Sequence, residues 1–275
     1  MKEKITIAPG AEGFASNISS PIGSRYSHHH EELEVNLVLS GKAAYLFGTE
    51  RIPLVAGSMI WLFPRQEHLL IDGSHDLSMW ILVFKPGFVE HYTRERERRI
   101  LRSPDPGAIF CRQLDPHTVD AFNHIYQSAA TGKDDLELTN TALAYALVAS
   151  WQAFQLSREP IPRTDVHPAV ARAVHLISEA EEAIPLTKLA RAAGLSAPRL
   201  SRLFKKQTGI SLTAFRQRKF LERFLRIYRT GARYSMIEAA LLAGFGSYPQ
   251  FHRVFRHHMG RSPAEYARIA RGDSV

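Results

Sequence analysis

A chain of 275 residues, 45% apolar and 23% charged, is long enough for two separate cores and shows none of the bias of a disordered or fibrous protein. Its one cysteine, Cys111, excludes an intrachain disulfide framework, and no apolar run, Leu54 to Phe63 included, reaches the ~20 residues of a membrane-spanning helix. The formal charge of +8 is uneven: residues 1–160 carry 15 Lys and Arg against 19 Asp and Glu, residues 161–275 carry 20 against 8. Such asymmetry points to a polyanion partner for the second part.

The start, Met1-Lys2-Glu3-Lys4, is charged and no signal-like apolar stretch follows, so a cytoplasmic protein is expected. Residues 1–90 read as β structure. Runs at Leu33–Leu39, Ala44–Phe47, Ile52–Leu54, Met59–Phe63 and Leu77–Phe84 are punctuated by Gly41, Gly48, Gly57, Pro64 and Lys85-Pro86-Gly87. Short strands at this spacing predict a sandwich or small barrel. Within it stand His28-His29-His30, Glu34 and, later, His68. Side chains alternate along a strand, so His28, His30 and Glu34 share one face while Val35, Leu37 and Leu39 take the other. Imidazoles joined by a carboxylate make a candidate site for a divalent metal. Tyr45, Trp61 and Trp80 are candidates to line an effector pocket in the same domain.

Residues 91–156 turn helical. The charged run Arg94–Arg99 reads as a solvated helix face, and 115–130 and 135–156 as two further helices. On the last of these, Leu143, Leu147, Trp151 and Phe154 form an apolar stripe suited to packing on the β domain or to dimerisation. Residues 157–166 hold two prolines and no periodicity, and read as an interdomain linker.

Residues 167–271 contain one motif twice. Ala190, Gly194-Leu195, Leu200, Arg202, Phe204-Lys205, Gly209, Ser211 and Phe215 return as Ala240, Gly244-Phe245, Phe251, Arg253, Phe255-Arg256, Gly260, Ser262 and Tyr266. The offset is 50 up to the glycine and 51 beyond it. Each copy reads as a helix-turn-helix unit. Thr187 and Ser235 are expected to cap the first helices, and Ser196 and Ser247 the second, each followed by a first-turn proline. Leu200, Leu203, Phe204 and Gln207 mark the buried side of one second helix, and Phe251, Val254 and Phe255 that of the other. Between the copies a long basic helix is expected, from Leu212 to about Thr230, burying Phe215, Phe220, Phe224 and Ile227 and exposing Arg216, Lys219, Arg223 and Arg226. A rigid connector would place two recognition helices to enter successive major grooves about 34 Å apart.

Residues 167–270 resemble the DNA-binding domain of the AraC/XylS family of bacterial transcription regulators. The likeness rests on the two units and on the closing run from Gly244-Phe245 through Phe251-His252-Arg253-Val254-Phe255-Arg256 to Gly260-Arg261-Ser262-Pro263-Ala264-Glu265-Tyr266. It implies that exposed positions early in each second helix meet promoter DNA: Pro198, Ser201 and Arg202, then Tyr248, Pro249, Gln250, His252 and Arg253. Arg199, Lys206 and Arg256, read as projecting from the same helices away from their buried sides, are expected to join them. Arg202 and Arg253 suit guanine, and glutamine suits adenine. The spacing His28-x-His30-x3-Glu34-x6-Gly41 resembles the first cupin motif, and Gly57-x6-Pro64-x3-His68 resembles the second, with Gln66 where a glycine is usual. That likeness implies a cupin-like barrel holding a small-molecule or metal effector. The expected architecture is therefore a two-domain protein: an all-β cupin-like barrel with a helical appendage, then an all-α domain of two helix-turn-helix units. The expected function is ligand-responsive transcription regulation without catalysis, by a homodimer with RNA polymerase as a candidate partner.

Overall fold

The computed structural model describes residues 5–19, 29–71, 73–131, 135–180, 182–228 and 234–270. Their contacts divide between Asp165 and Val166 into two units, each with its own core. The first unit opens with β1 (Gly13–Ser19), β2 (Leu33–Ser40), β3 (Lys42–Phe47), β4 (Glu50–Val55), β5 (Ser58–Leu62), β6 (Leu69–Ile71) and β7 (Ser78–Phe84). Helix α1 (Pro86–Tyr92), β8 (Phe110–Gln113), α2 (Pro116–Thr131), α3 (Leu136–Leu156), β9 (Glu159–Pro160) and β10 (Thr164–Asp165) complete it.

The strands form two antiparallel sheets, ordered β1-β7-β2-β5-β8-β9 and β10-β4-β3-β6. Alternation along β2 explains why the six-stranded sheet is buried on both faces. Leu33, Val35 and Leu37 join Trp61, Leu82, Leu147 and Trp151 in the core beneath α2 and α3. Val38 faces the other way and joins Tyr45, Ile52, Ile60 and Met79 between the sheets. A strand covered on both sides is apolar at successive positions, as β5 is from Met59 to Leu62, whereas β2 keeps two polar residues, Glu34 and Asn36, on the face between the sheets. The layers are therefore helix, sheet and sheet. This is the expected all-β domain with its helical appendage; no ladder joins the two sheets among the described residues.

Several expected boundaries are corrected. Strand β8 lies inside the segment read as helical and pairs with β5, and β1 lies within the stretch read as β structure but outside the named runs. The charged run is not one helix with α1 but a separate 3-10 segment, Arg96–Arg102. Residues 157–166 are not a free linker: β9 pairs with β8 and β10 with β4, so this stretch is tied to both sheets. A pair of residues is too short to leave a period in the sequence.

The second unit comprises α4 (Pro168–Glu179), α5 (Leu186–Ala192), α6 (Ala197–Thr208), α7 (Leu212–Tyr228), α8 (Met236–Leu242), α9 (Tyr248–Met259) and α10 (Pro263–Ala270). The duplication is visible in the backbone. Helices α6 and α9 both have 12 residues and both end on a left-handed glycine, Gly209 and Gly260. The turn before each is closed by the same bond, Leu195 N–H to Ala190 O at 3.0 Å and Phe245 N–H to Ala240 O at 3.1 Å. Both turns need a residue at positive φ, supplied by Gly194 at 74° and Gly244 at 106°. At Gly244 a Cβ would also lie 2.4 Å from Ala183, so two requirements coincide there.

Candidate effector site and nucleic-acid interface

Between the sheets of the first unit lies a polar cluster inside apolar surroundings. Glu34 and Asn36 come from β2, Tyr45 from β3, His30 from just before β2 and His68 from just before β6. All five are buried. Asn36 Nδ2 donates to Glu34 Oε1 at 2.9 Å and to Tyr45 Oη at 2.7 Å. His30 Nε2 lies 3.1 Å from Glu34 Oε2. The rings of His30 and His68 meet edge to face, with centroids 5.4 Å apart.

Both histidines are held alike. A carbonyl oxygen only accepts, so Nδ1–H of His30 donates to Glu32 O at 2.9 Å and Nδ1–H of His68 to Gln66 O at 2.8 Å. These bonds fix Nε2 as the nitrogen each ring has for a ligand, the arrangement by which metal-binding imidazoles are oriented. One ligand atom from each of His30, Glu34 and His68 falls within 4.8 Å of the others. Asn36 Oδ1, buried in the same place, has no hydrogen-bond partner.

Charge is concentrated here. Burial alone would raise the Glu34 carboxyl, but the His30 hydrogen bond, the potential of His30 and His68, and the Asn36 amide bring it down to about 2. Burial opposes protonation of His30, yet the hydrogen bond and charge of Glu34, with Glu32 behind them, leave its pKa raised. His30 and Glu34 thus each favour the charged form of the other, in a site enclosed between the sheets. Burial drives the Tyr45 hydroxyl well above its ordinary range, so it stays protonated.

The structure brings His30, Glu34 and His68 together, with Gln66 standing where the second motif usually has a glycine. Gln66 donates to Ala108 O, while its neighbour Arg65 takes the positive φ of that loop. His28 lies outside the described residues. The proposed aromatic pocket does not form. Tyr45 faces the cluster, whereas Trp61 and Trp80 stand on the opposite face of the six-stranded sheet, against Trp151 and Tyr126. Trp61 and Trp80 share a face through cross-strand register, which spacing along the chain does not reveal. Asn36 was missed, although a buried polar residue two places after Glu34 in an apolar strand was the signal.

In the second unit, α6 exposes Arg199, Arg202, Lys205 and Lys206, with Ser201 half-buried. Helix α9 exposes Arg253 and Arg256, with Tyr248, Gln250 and His252 half-buried. Leu200 and Phe204, and Phe251, Val254 and Phe255, face inward. Leu203 and Gln207 are only half-buried, and Gln207 accepts from the His167 N–H at 2.8 Å. Caps differ from expectation. Helix α5 starts at Leu186 after Pro185, not after Thr187, and Ser196 occupies the cap position of α6 without a side-chain bond. Ser235 forms a full capping box with Glu238.

Helix α7 corrects the reading of its basic residues. Lys219 and Arg223 are buried and Arg216 is half-buried. Lys219 pairs with Glu222 at 3.2 Å. Arg216 donates to Ile184 O at 2.7 Å. Arg223 donates to Ala180 O at 2.8 Å and Ala243 O at 3.0 Å, the capping residues at the ends of α4 and α8. A guanidinium can satisfy two helix C-termini at once, and their dipoles favour its charge. These side chains brace the unit; of the four expected to be exposed, Arg226 is.

Comparison with known proteins agrees with this division. Residues 21–148 match the family model of the AraC-like ligand binding domain, and residues 189–269 that of a helix-turn-helix domain. No curated protein gives a significant match. Among solved structures, unsaturated-fatty-acid-bound wild-type ToxT from Vibrio cholerae strain SCE256 is similar at 12% identity, covering 96% of each chain with a TM-score of 0.35. An AraC-type regulator from Chromobacterium violaceum is 25% identical over 38% of this chain and 92% of its own, with a TM-score of 0.31. No helix among the described residues is long and apolar enough to cross a membrane. With a ligand-binding domain of AraC type followed by a helix-turn-helix region, this chain belongs to the AraC family of DNA-binding transcription regulators.

Proposed function

We propose that the first unit receives its signal at the His30–Glu34–His68 cluster and that the ligand is a divalent transition-metal ion. The observation that carries this is the paired Nδ1–H anchoring of two buried histidines beside a buried carboxylate. Two imidazoles and a carboxylate suit zinc, nickel, copper or iron better than calcium or magnesium. Ligand atoms around a tetrahedral zinc sit ~3.4 Å apart, so the cluster needs only a small contraction. Such a contraction would draw His68, just before β6 of one sheet, toward Glu34, in β2 of the other, and would break the His30–Glu34 pair. A ligand that favours one arrangement over another by this differential contact can shift the regulator's output.

DNA is read, on this proposal, by Arg199, Ser201, Arg202 and Lys206 on α6 and by Tyr248, Gln250, His252, Arg253 and Arg256 on α9. The protein works in the cytoplasm as a homodimer alongside RNA polymerase and carries out no turnover. Exposed Leu138 and Tyr145, one heptad apart on α3, support the dimer. Elemental analysis of the purified, untagged full-length protein tests the metal, beside His30→Ala and His68→Ala variants. Near-stoichiometric metal, lost in both variants and altering operator affinity when removed, is expected. Absence of metal after incubation with divalent ions would refute it and turn the search to organic effectors.

A further inference from the structure

The two copies of the helix-turn-helix motif differ by one residue, and that residue constrains a base-reading side chain. The offset is 50 at Leu195 and Phe245 and 51 at the capping serines, Ser196 and Ser247, so Gly246 is the extra residue of the second turn. An added residue brings an added backbone N–H, which takes its partner from the protein or from water. Gln250 meets it: the Gly246 N–H donates to Gln250 Oε1 at 3.0 Å. Because a backbone N–H can only donate, the amide atom facing it must be the oxygen, which fixes the orientation of the amide. The equivalent position in α6 is Arg199, an exposed cation on a turn with no inserted residue. Gln250 stands in the first turn of α9, where recognition helices meet base edges.

We propose that Gln250 reads DNA as a one-sided donor, its oxygen remaining on Gly246 and only its Nε2 hydrogens offered to the major groove. This rests on the reading of α9 as a recognition helix. A glutamine free to turn pairs with adenine N7 and N6 through both ends of its amide, whereas one held to Gly246 through its oxygen has a single lone pair left and loses the freedom to aim it at N6. It favours bases presenting acceptors alone: guanine, with O6 and N7, then thymine, with O4. Adenine is disfavoured by its unpaired amino group, and cytosine by presenting only a donor. The second half-site should therefore carry a keto base under Gln250, and the two copies should not read related half-sites even though their folds repeat.

The test is selection of binding sites from randomised duplexes by the full-length protein and by Gln250→Ala, Gln250→Glu and Arg253→Ala variants, each checked for helicity by circular dichroism. The wild type is expected to enrich guanine or thymine at one position by about fivefold over adenine, the worth of one hydrogen bond. Gln250→Ala should flatten that position alone. Gln250→Glu keeps an oxygen for Gly246 but has no N–H to give, and should switch the position to cytosine or adenine. Enrichment of adenine by the wild type, lost in Gln250→Ala, would overturn the proposal. An unchanged preference in both Gln250 variants, with Arg253→Ala still flattening its own position, would overturn it while leaving α9 as the reading helix. Failure of every variant and the wild type to enrich any sequence would remove the reading of α9 as well.

Discussion

Replacing Arg223 with alanine should destabilise the DNA-binding unit alone. The side chain is 7% exposed and makes two hydrogen bonds, to Ala180 O and Ala243 O. A hydrogen bond to a charged group contributes ~1.5–3 kcal/mol, and a buried carbonyl left unsatisfied costs ~1–3 kcal/mol. Against this, the variant no longer desolvates a guanidinium. The net loss is about 3 kcal/mol, which for a unit of this size lowers Tm by roughly 15–20 °C. Arg223→Lys, with one compact ammonium for two carbonyls, should lose about half of that. The protein carries its own control, because all three tryptophans, Trp61, Trp80 and Trp151, belong to the first unit. Urea or thermal unfolding followed by tryptophan fluorescence should be unchanged, while the far-ultraviolet circular dichroism of the helices should gain an early transition. A loss under ~0.5 kcal/mol, or an equal shift in both signals, would show that Arg223 does not brace α4 and α8 as argued.

Arg202→Ala and Arg253→Ala should each weaken binding to the selected operator by ~1–3 kcal/mol and relax preference at one base pair. Equal losses on selected and random duplexes would reassign them to phosphate. Lys219→Ala should leave the slope of log affinity against log salt unchanged, because its ammonium is buried on Glu222, whereas Lys206→Ala should reduce it by ~0.9 if Lys206 meets a phosphate. In chelated protein, the low Glu34 pKa contributes stability that is complete above pH ~4.5 and is lost as pH falls toward 2. Tryptophan-monitored unfolding of Glu34→Gln should show a weaker acid dependence in that window, and identical curves would remove the effect. Metal affinity should fall as pH drops through the raised His30 pKa, since the ion must displace its proton; a pH-independent affinity would exclude His30 as a ligand.

Much of the chain was legible without coordinates because its information is local. Alternation placed Glu34 opposite Val35 and Leu37, and the structure keeps them on opposite faces of β2. The repeated glycine, basic and aromatic pattern located both second helices, and their first turns begin where the Ser-x-Pro pairs stand. Charge asymmetry assigned the polyanion to the half that holds them. Three matters needed tertiary structure because they depend on residues far apart in the chain. Trp61 and Trp80 left the candidate pocket because cross-strand register gives them to the helix-covered face. Residues 159–160 and 164–165 became strands because β8 and β4 offered edges to pair with, and two residues carry no period of their own. Lys219 and Arg223 looked like solvent-facing cations on an amphipathic helix, but the ends of α4 and α8 come to rest over that face. Periodicity finds the side of a helix that is apolar. Whether its polar side meets water, DNA or the carbonyls of a neighbouring helix is set by what else packs there, and that only the folded chain decides.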